Sequence, residues 1–157
     1  MPSFETSRRV RHSADAMFDL VADVERYPEF VPMCEKLVVR ARRPQPDGRE
    51  VLVADMTVGY SLLRETFTSK VTLDRDNRQI LVEYLDGPFR QLENRWTFTP
   101  ADPAGAAGEA PSDVGFFIQY EFRSRTLAAV MGAVFDRAFR KFADAFEARA
   151  DAVYGAA

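Results

Sequence analysis

The amino-acid sequence predicts an α+β fold in which a curved antiparallel sheet is wrapped around a long C-terminal helix. Three observations carry this. About six segments between residues 36 and 122 alternate apolar and polar residues with a period of two, and turn-forming residues join them. One amphipathic run, from about residue 126 to 154, closes the chain. The helical segments stand apart from the run of strands, which favours α+β over an alternating α/β order.

Residues 3–11, SFETSRRVR, read as a polar edge strand with Phe4 and Val10 on one side. A helical period follows in HSADAMFDLVADV: Ser13 is the N-cap, Asp15 sits in the first turn, and Met17, Leu20, Val21 and Val24 share a face. Pro28 is expected to end that helix, because the residue before proline is pushed out of the helical region. YPEFVPMC, residues 27–34, is then a connector or a single helical turn.

The strands follow. KLVVRAR runs to a proline-rich approach and an Asp47-Gly48 turn, and EVLVADMTVGY comes next. In LLRETFTSKVTLD, Leu63, Phe67, Val71 and Leu73 point one way and Arg64, Thr66, Thr68, Lys70 and Thr72 the other. RQILVEYLD follows a turn at Asp76-Asn77. RQLENRWTFTP puts Leu92, Asn94, Trp96 and Phe98 on one face, and VGFFIQYEF does the same with Val114, Phe116, Ile118, Tyr120 and Phe122. Between these two, residues 100–113 are rich in Ala, Gly and Pro and read as a mobile hairpin loop. In the last helix Val130, Met131, Val134, Phe135, Ala138, Phe139, Phe142 and Phe146 form a broad apolar stripe, with Gly155 as the stop. At 1.5 Å per residue the helix is roughly 40 Å long, and only a wide curved sheet can cover such a stripe.

The 157 residues suit one domain, residues 1–157, with room for a core and one small-molecule pocket. A net charge of -3 argues against non-specific binding to nucleic acid, and no DNA partner is expected. One cysteine excludes an internal disulfide, and one histidine with one cysteine excludes a Cys/His zinc site from this chain alone. No apolar run is long enough to span a membrane, and the N-terminus has no targeting pattern, so a cytoplasmic location is expected.

Catalytic groups are scarce. His12, at a strand-to-helix junction, reads as a capping or exposed residue, and Cys34 as a small buried hydrophobe with no nearby base. GAAG at 105–108 lacks the strand-to-helix context of a phosphate loop. Glu65 and Asn94 share faces with apolar residues. They either pair with an arginine or the sheet rim, or orient the polar headgroup of a ligand. Arg8, Arg9 and Arg11, and Arg40, Arg42 and Arg43, read as edge charges that block strand pairing, with a basic patch for anionic lipid or RNA as the alternative. Thirteen Phe, five Tyr and one Trp fall mostly on the inner faces, where they suit a core and an apolar guest.

Three motifs, DVERYPEFVPMC at 23–34, ETFTSKVTLD running on to LDGPFRQLENRWTF, and AFEARADAVYG at 145–155, together span nearly the whole chain. In these the sequence resembles the ubiquinone-binding members of the START superfamily, the coenzyme Q-binding proteins, and their relatives described as ribosome-association toxins or polyketide cyclase/dehydrase-like proteins. The resemblance implies a helix-grip fold around a deep hydrophobic cavity. It implies a non-catalytic carrier of ubiquinone or a related isoprenoid quinone, held as ligand rather than as a catalytic cofactor. Candidate lining is Phe67, Tyr84, Leu92, Trp96, Phe116 and Ile118 on the strands, with Met131 and Phe135 on the helix. Phe30, Pro32 and Met33 in the connector, and Phe89 after the Gly87-Pro88 turn, are candidates for the rim of an entrance, with simple capping of the core as the alternative. A tail of about 50 carbons needs on the order of 1,500 Å³, so it would be only partly enclosed, and loading at a membrane surface would follow. Two other activities stay open: association with the large ribosomal subunit, and an aromatase/cyclase in which Glu65 and Tyr84 serve as acid and base.

Overall fold

The structure, a computed structural model, describes residues 3–60, 62–101 and 111–155. Seven antiparallel strands form one curved sheet in the order β1-β7-β6-β5-β4-β3-β2. They are β1 (Ser3–Val10), β2 (Cys34–Pro44), β3 (Glu50–Tyr60), β4 (Leu63–Asp74), β5 (Gln79–Asp86), β6 (Phe89–Pro100) and β7 (Ser112–Phe122). β2 to β7 form a meander, so each hairpin pairs neighbours in sequence, and β1 returns along the free edge of β7. Helix α1 (Ala14–Ala22) and a 3₁₀ turn (Val24–Glu29) connect the two edges, and α2 (Arg125–Tyr154) lies against the sheet. Its 30 residues make it about 45 Å long.

Local chemistry explains the boundaries. The hydroxyls of Ser13 and Ser124 accept hydrogen bonds from the N–H groups of Ala16 and Leu127, so each caps a helix start. Gly155 ends α2 at φ +96°, where its N–H bonds to the carbonyl of Asp151. Gly48, at φ +92°, completes the β2–β3 turn. Most of the 100–113 loop lies outside the described residues. Its ends meet where the N–H of Ala101 donates to the carbonyl of Pro111.

Three expectations are corrected. Pro28 does not end α1: the helix stops at Ala22, and Pro28 sits inside the 3₁₀ turn that follows. Val130 is half-exposed, because a helix lying on a curved surface buries a narrower stripe than its apolar residues span; Met131, Phe135, Ala138, Phe139 and Phe146 are buried. His12 is buried rather than exposed. Its Nε2 donates to Asp151 Oδ1 at 2.7 Å, which ties the strand end to α2.

Five of the six edge arginines are neutralised in place. Arg8 pairs with Asp144 and Glu147 of α2, Arg9 with Asp113, Arg11 with Asp151, Arg40 with Asp55, and Arg42 with Glu25 and Glu50. β1 and β2 are the two edges of the sheet, where charged side chains hinder pairing with another chain.

Candidate functional site

A cavity of about 70 Å³ lies between the sheet and α2. Alternation along each strand builds its floor from Leu37 on β2, Ala54 and Met56 on β3, Phe67, Ser69 and Val71 on β4, and Ile80 and Val82 on β5. Leu92, Asn94 and Trp96 on β6 and Ile118 on β7 continue it. Phe139, Phe142 and Phe146, three to four residues apart on α2, supply the roof, and Val24 and Tyr27 close one side. Among the described residues no charged side chain lines the space.

Its polar groups are few. Trp96 Nε1 donates to Asn94 Oδ1 at 3.0 Å, and Asn94 Nδ2 donates to the carbonyl of Phe117 at 2.9 Å. Since the indole can only donate, it settles which end of the Asn94 amide faces it. Tyr27 donates its hydroxyl to the carbonyl of Val21, and burial pushes its pKa well above the usual phenol range. Ser69 Oγ is buried and has no hydrogen-bond partner among the described residues.

Five of the residues singled out in the sequence, Phe67, Leu92, Asn94, Trp96 and Ile118, line this cavity. Phe116 is buried beside it, against Trp96 and Phe142. Phe89, expected at an exposed rim, is fully buried; its ring meets those of Phe67, Tyr84, Tyr120, Phe122 and Phe135. Tyr84 belongs to the same ring cluster and accepts the Phe89 N–H on its hydroxyl, while Met131 is buried on the facing helix. Phe30 is a half-buried ring held edge-on to Tyr27 and Phe146, with the Arg149 guanidinium above it. Pro32 and Met33 are half-buried in the connector, and Glu65 is half-buried on β4 without reaching the cavity.

Ser69 went unread in the sequence, although it occupies the inward register between Phe67 and Val71. A serine inside an apolar alternation was the available signal. Phe139, Phe142 and Phe146 were legible as a stripe, but nothing in the sequence says which part of the stripe meets a void.

Catalytic groupings do not converge on the cavity. Ser112, His12 and Asp151 gather at the far end of β7, yet the Ser112 hydroxyl donates to the His12 carbonyl rather than to its ring. Burial pushes the Cys34 thiol up to about 11, and its sulfur faces the carbonyl of Lys36. Among the described residues no group of three His, Cys, Asp or Glu could hold a metal ion, and no helix is long and apolar enough to cross a membrane.

Comparison with known proteins places this architecture. The profile of the family described as polyketide cyclase/dehydrase and lipid transport matches residues 10–147. The ribosome association toxin RatA of Vibrio cholerae is 34% identical over 155 residues, covering 99% of both chains. The mitochondrial coenzyme Q-binding protein COQ10 homolog B of Xenopus laevis is 28% identical over 154 residues, 97% of this chain and 59% of that protein. The Zhui aromatase/cyclase of Streptomyces sp. R1128 superposes with a TM-score of 0.76 over 96% of this chain and 93% of that one, at 19% identity, a likeness of fold alone. With 138 of its residues inside the match and a curved sheet closing on a C-terminal helix, the chain belongs to the polyketide cyclase/dehydrase and lipid transport family.

Proposed function

We propose that the protein is a non-catalytic carrier of ubiquinone or a related isoprenoid quinone, held between the sheet and α2. The observation that carries this reading is the cavity lining: aromatic and aliphatic side chains with four neutral polar groups (Tyr27, Ser69, Asn94 and the Trp96 indole N–H) and, among the described residues, no acid–base pair. Each methylene removed from water there contributes about 0.8 kcal/mol, so an isoprenoid tail supplies the affinity. The relative named as coenzyme Q-binding supports the same ligand class. An aromatase/cyclase role for Glu65 and Tyr84 gains no support, since neither lines the cavity.

The space of about 70 Å³ holds about two waters at ~30 Å³ each, far less than a long tail needs. Binding therefore widens the gap between α2 and the sheet or leaves most of the tail outside. Leu62, Leu63 and Leu85, at the β3–β4 and β5–β6 hairpins, and Val130 in the second turn of α2 are exposed apolar residues. They suit loading by peripheral contact with a membrane from the cytoplasm.

Mass spectrometry of lipids co-purified from a quinone-producing host tests the reading. Enrichment of quinone over an unrelated cavity protein is expected; equal content in both overturns it. A second reading draws on the full-length likeness to RatA: association with the large ribosomal subunit. Co-sedimentation with large subunits at low salt is its expected outcome, and absence from that fraction removes it.

A further inference from the structure

The geometry points to Ser69 as the hydrogen-bonding contact for the polar end of the cavity's ligand, which is then an apolar molecule carrying a neutral carbonyl or hydroxyl oxygen. This rests on the carrier reading and deepens it.

Ser69 is 5% exposed and faces the cavity from the middle of β4. Its hydroxyl is one donor and two acceptor positions, none of them used among the described residues. Buried hydroxyls are normally satisfied, so each exception requires a reason. Packing is not the reason: alanine would occupy the same register without leaving a polar group unpaired. The neighbouring strand β5 is irregular opposite this point. Thr68 faces Asp86 and Ser69 faces Tyr84, so Leu85 is the extra residue of a bulge on β5. Bulges of this kind re-aim side chains and occur beside binding sites.

The other polar groups at the cavity are already engaged. Tyr27 is committed to the Val21 carbonyl, and Asn94 is held between Trp96 and the Phe117 carbonyl. Tyr84, opposite Ser69 on the same face, receives the Phe89 N–H. Among the described residues that line the cavity, Ser69 is thus the polar side chain with no hydrogen bond of its own. Because no charged side chain among the described residues lines the space, a carboxylate or phosphate headgroup would enter it unpaired. A neutral oxygen, as on a quinone ring, meets the serine without that cost.

The test compares two probes on the wild-type chain and on Ser69→Ala: a 1,4-benzoquinone with a decyl tail, and decylbenzene. Trp96, the single tryptophan, lines the cavity, so quinone binding is read by quenching of its fluorescence and decylbenzene binding by displacement of the quinone. Ser69→Ala is expected to weaken the benzoquinone about tenfold and leave decylbenzene unchanged. Its melting temperature without probe is expected to be no lower than wild type, since an unpartnered hydroxyl is removed. Equal weakening of both probes, an unchanged benzoquinone affinity, or a markedly lowered melting temperature overturns the inference while the carrier reading stands. Failure of the wild type to bind either probe overturns both.

Discussion

Gly87 shows how one residue holds the β5–β6 turn in place. At φ +141° it uses backbone freedom that only glycine has, and a Cβ built there would lie 2.6 Å from the Cβ of Phe67. Gly87→Ala is expected to destabilise the fold by roughly 1–3 kcal/mol, seen as a lower denaturant midpoint at an unchanged slope. Cys34 behaves oppositely, as a group whose chemistry is suppressed. With its pKa near 11, on the order of one thiol in 3,000 is ionised at pH 7.5. A water-soluble thiol reagent should label it slowly in buffer and rapidly in denaturant; equal rates would mean the thiol is accessible in the folded chain.

At the scale of elements, α2 is fastened by its second half. Arg8 reaches Asp144 and Glu147, Arg149 reaches Glu29, and Tyr154 donates to the carbonyl of Ala16. The last fastening is the hydrogen bond from His12 to Asp151, reinforced by Arg11. These contacts hold the Asp151 carboxyl below its usual range, the His12 hydrogen bond foremost. A depressed carboxylate contributes stability that is complete above its unfolded value of about 4 and is lost as pH falls through the lower folded value. The difference in melting temperature between wild type and Asp151→Asn should therefore shrink as the pH falls below about 4. A difference that persists at pH 2.5 would show that charge pairing is not its source.

At the scale of the molecule, the cavity and the ring cluster share one sheet face and one helix. Phe89, Phe122 and Phe135 close the end nearest the start of α2, while Phe146, Tyr27 and Phe30 close the other. A guest larger than 70 Å³ must part α2 from the sheet, and the polar fastenings described above lie in the helix's second half. Adding the decyl benzoquinone should change amide exchange in residues 127–139 more than in 144–154. A uniform change along α2 would place the opening elsewhere. Phe30 also bears on this scale. Its ring is wedged against Tyr27 and Phe146, so Phe30→Asp alone should lower the melting temperature by several degrees, as loss of a packed ring does in a chain of this size.

The strands, the Ser13 cap, the Gly155 stop and the segregation of helix from sheet were legible in the sequence, because periodicity, capping residues and turn glycines act over a few residues; the Ser124 cap of α2 was not read there. Phe67, Leu92, Asn94, Trp96 and Ile118 were legible too, as inward positions of alternating strands. The 3₁₀ turn around Pro28, the burial of His12 and the depth of Phe89 were not. The last two depend on partners distant in the chain: His12 on Asp151, Phe89 on Phe122 and Phe135. By itself the sequence determined an antiparallel meander with a helix to cover it, since two-residue and 3.6-residue periods are local properties. Only the tertiary structure decided where the cover leaves a gap and which hydroxyl faces it, because a void is the residue of packing among seven strands and a helix, and no local pattern encodes it.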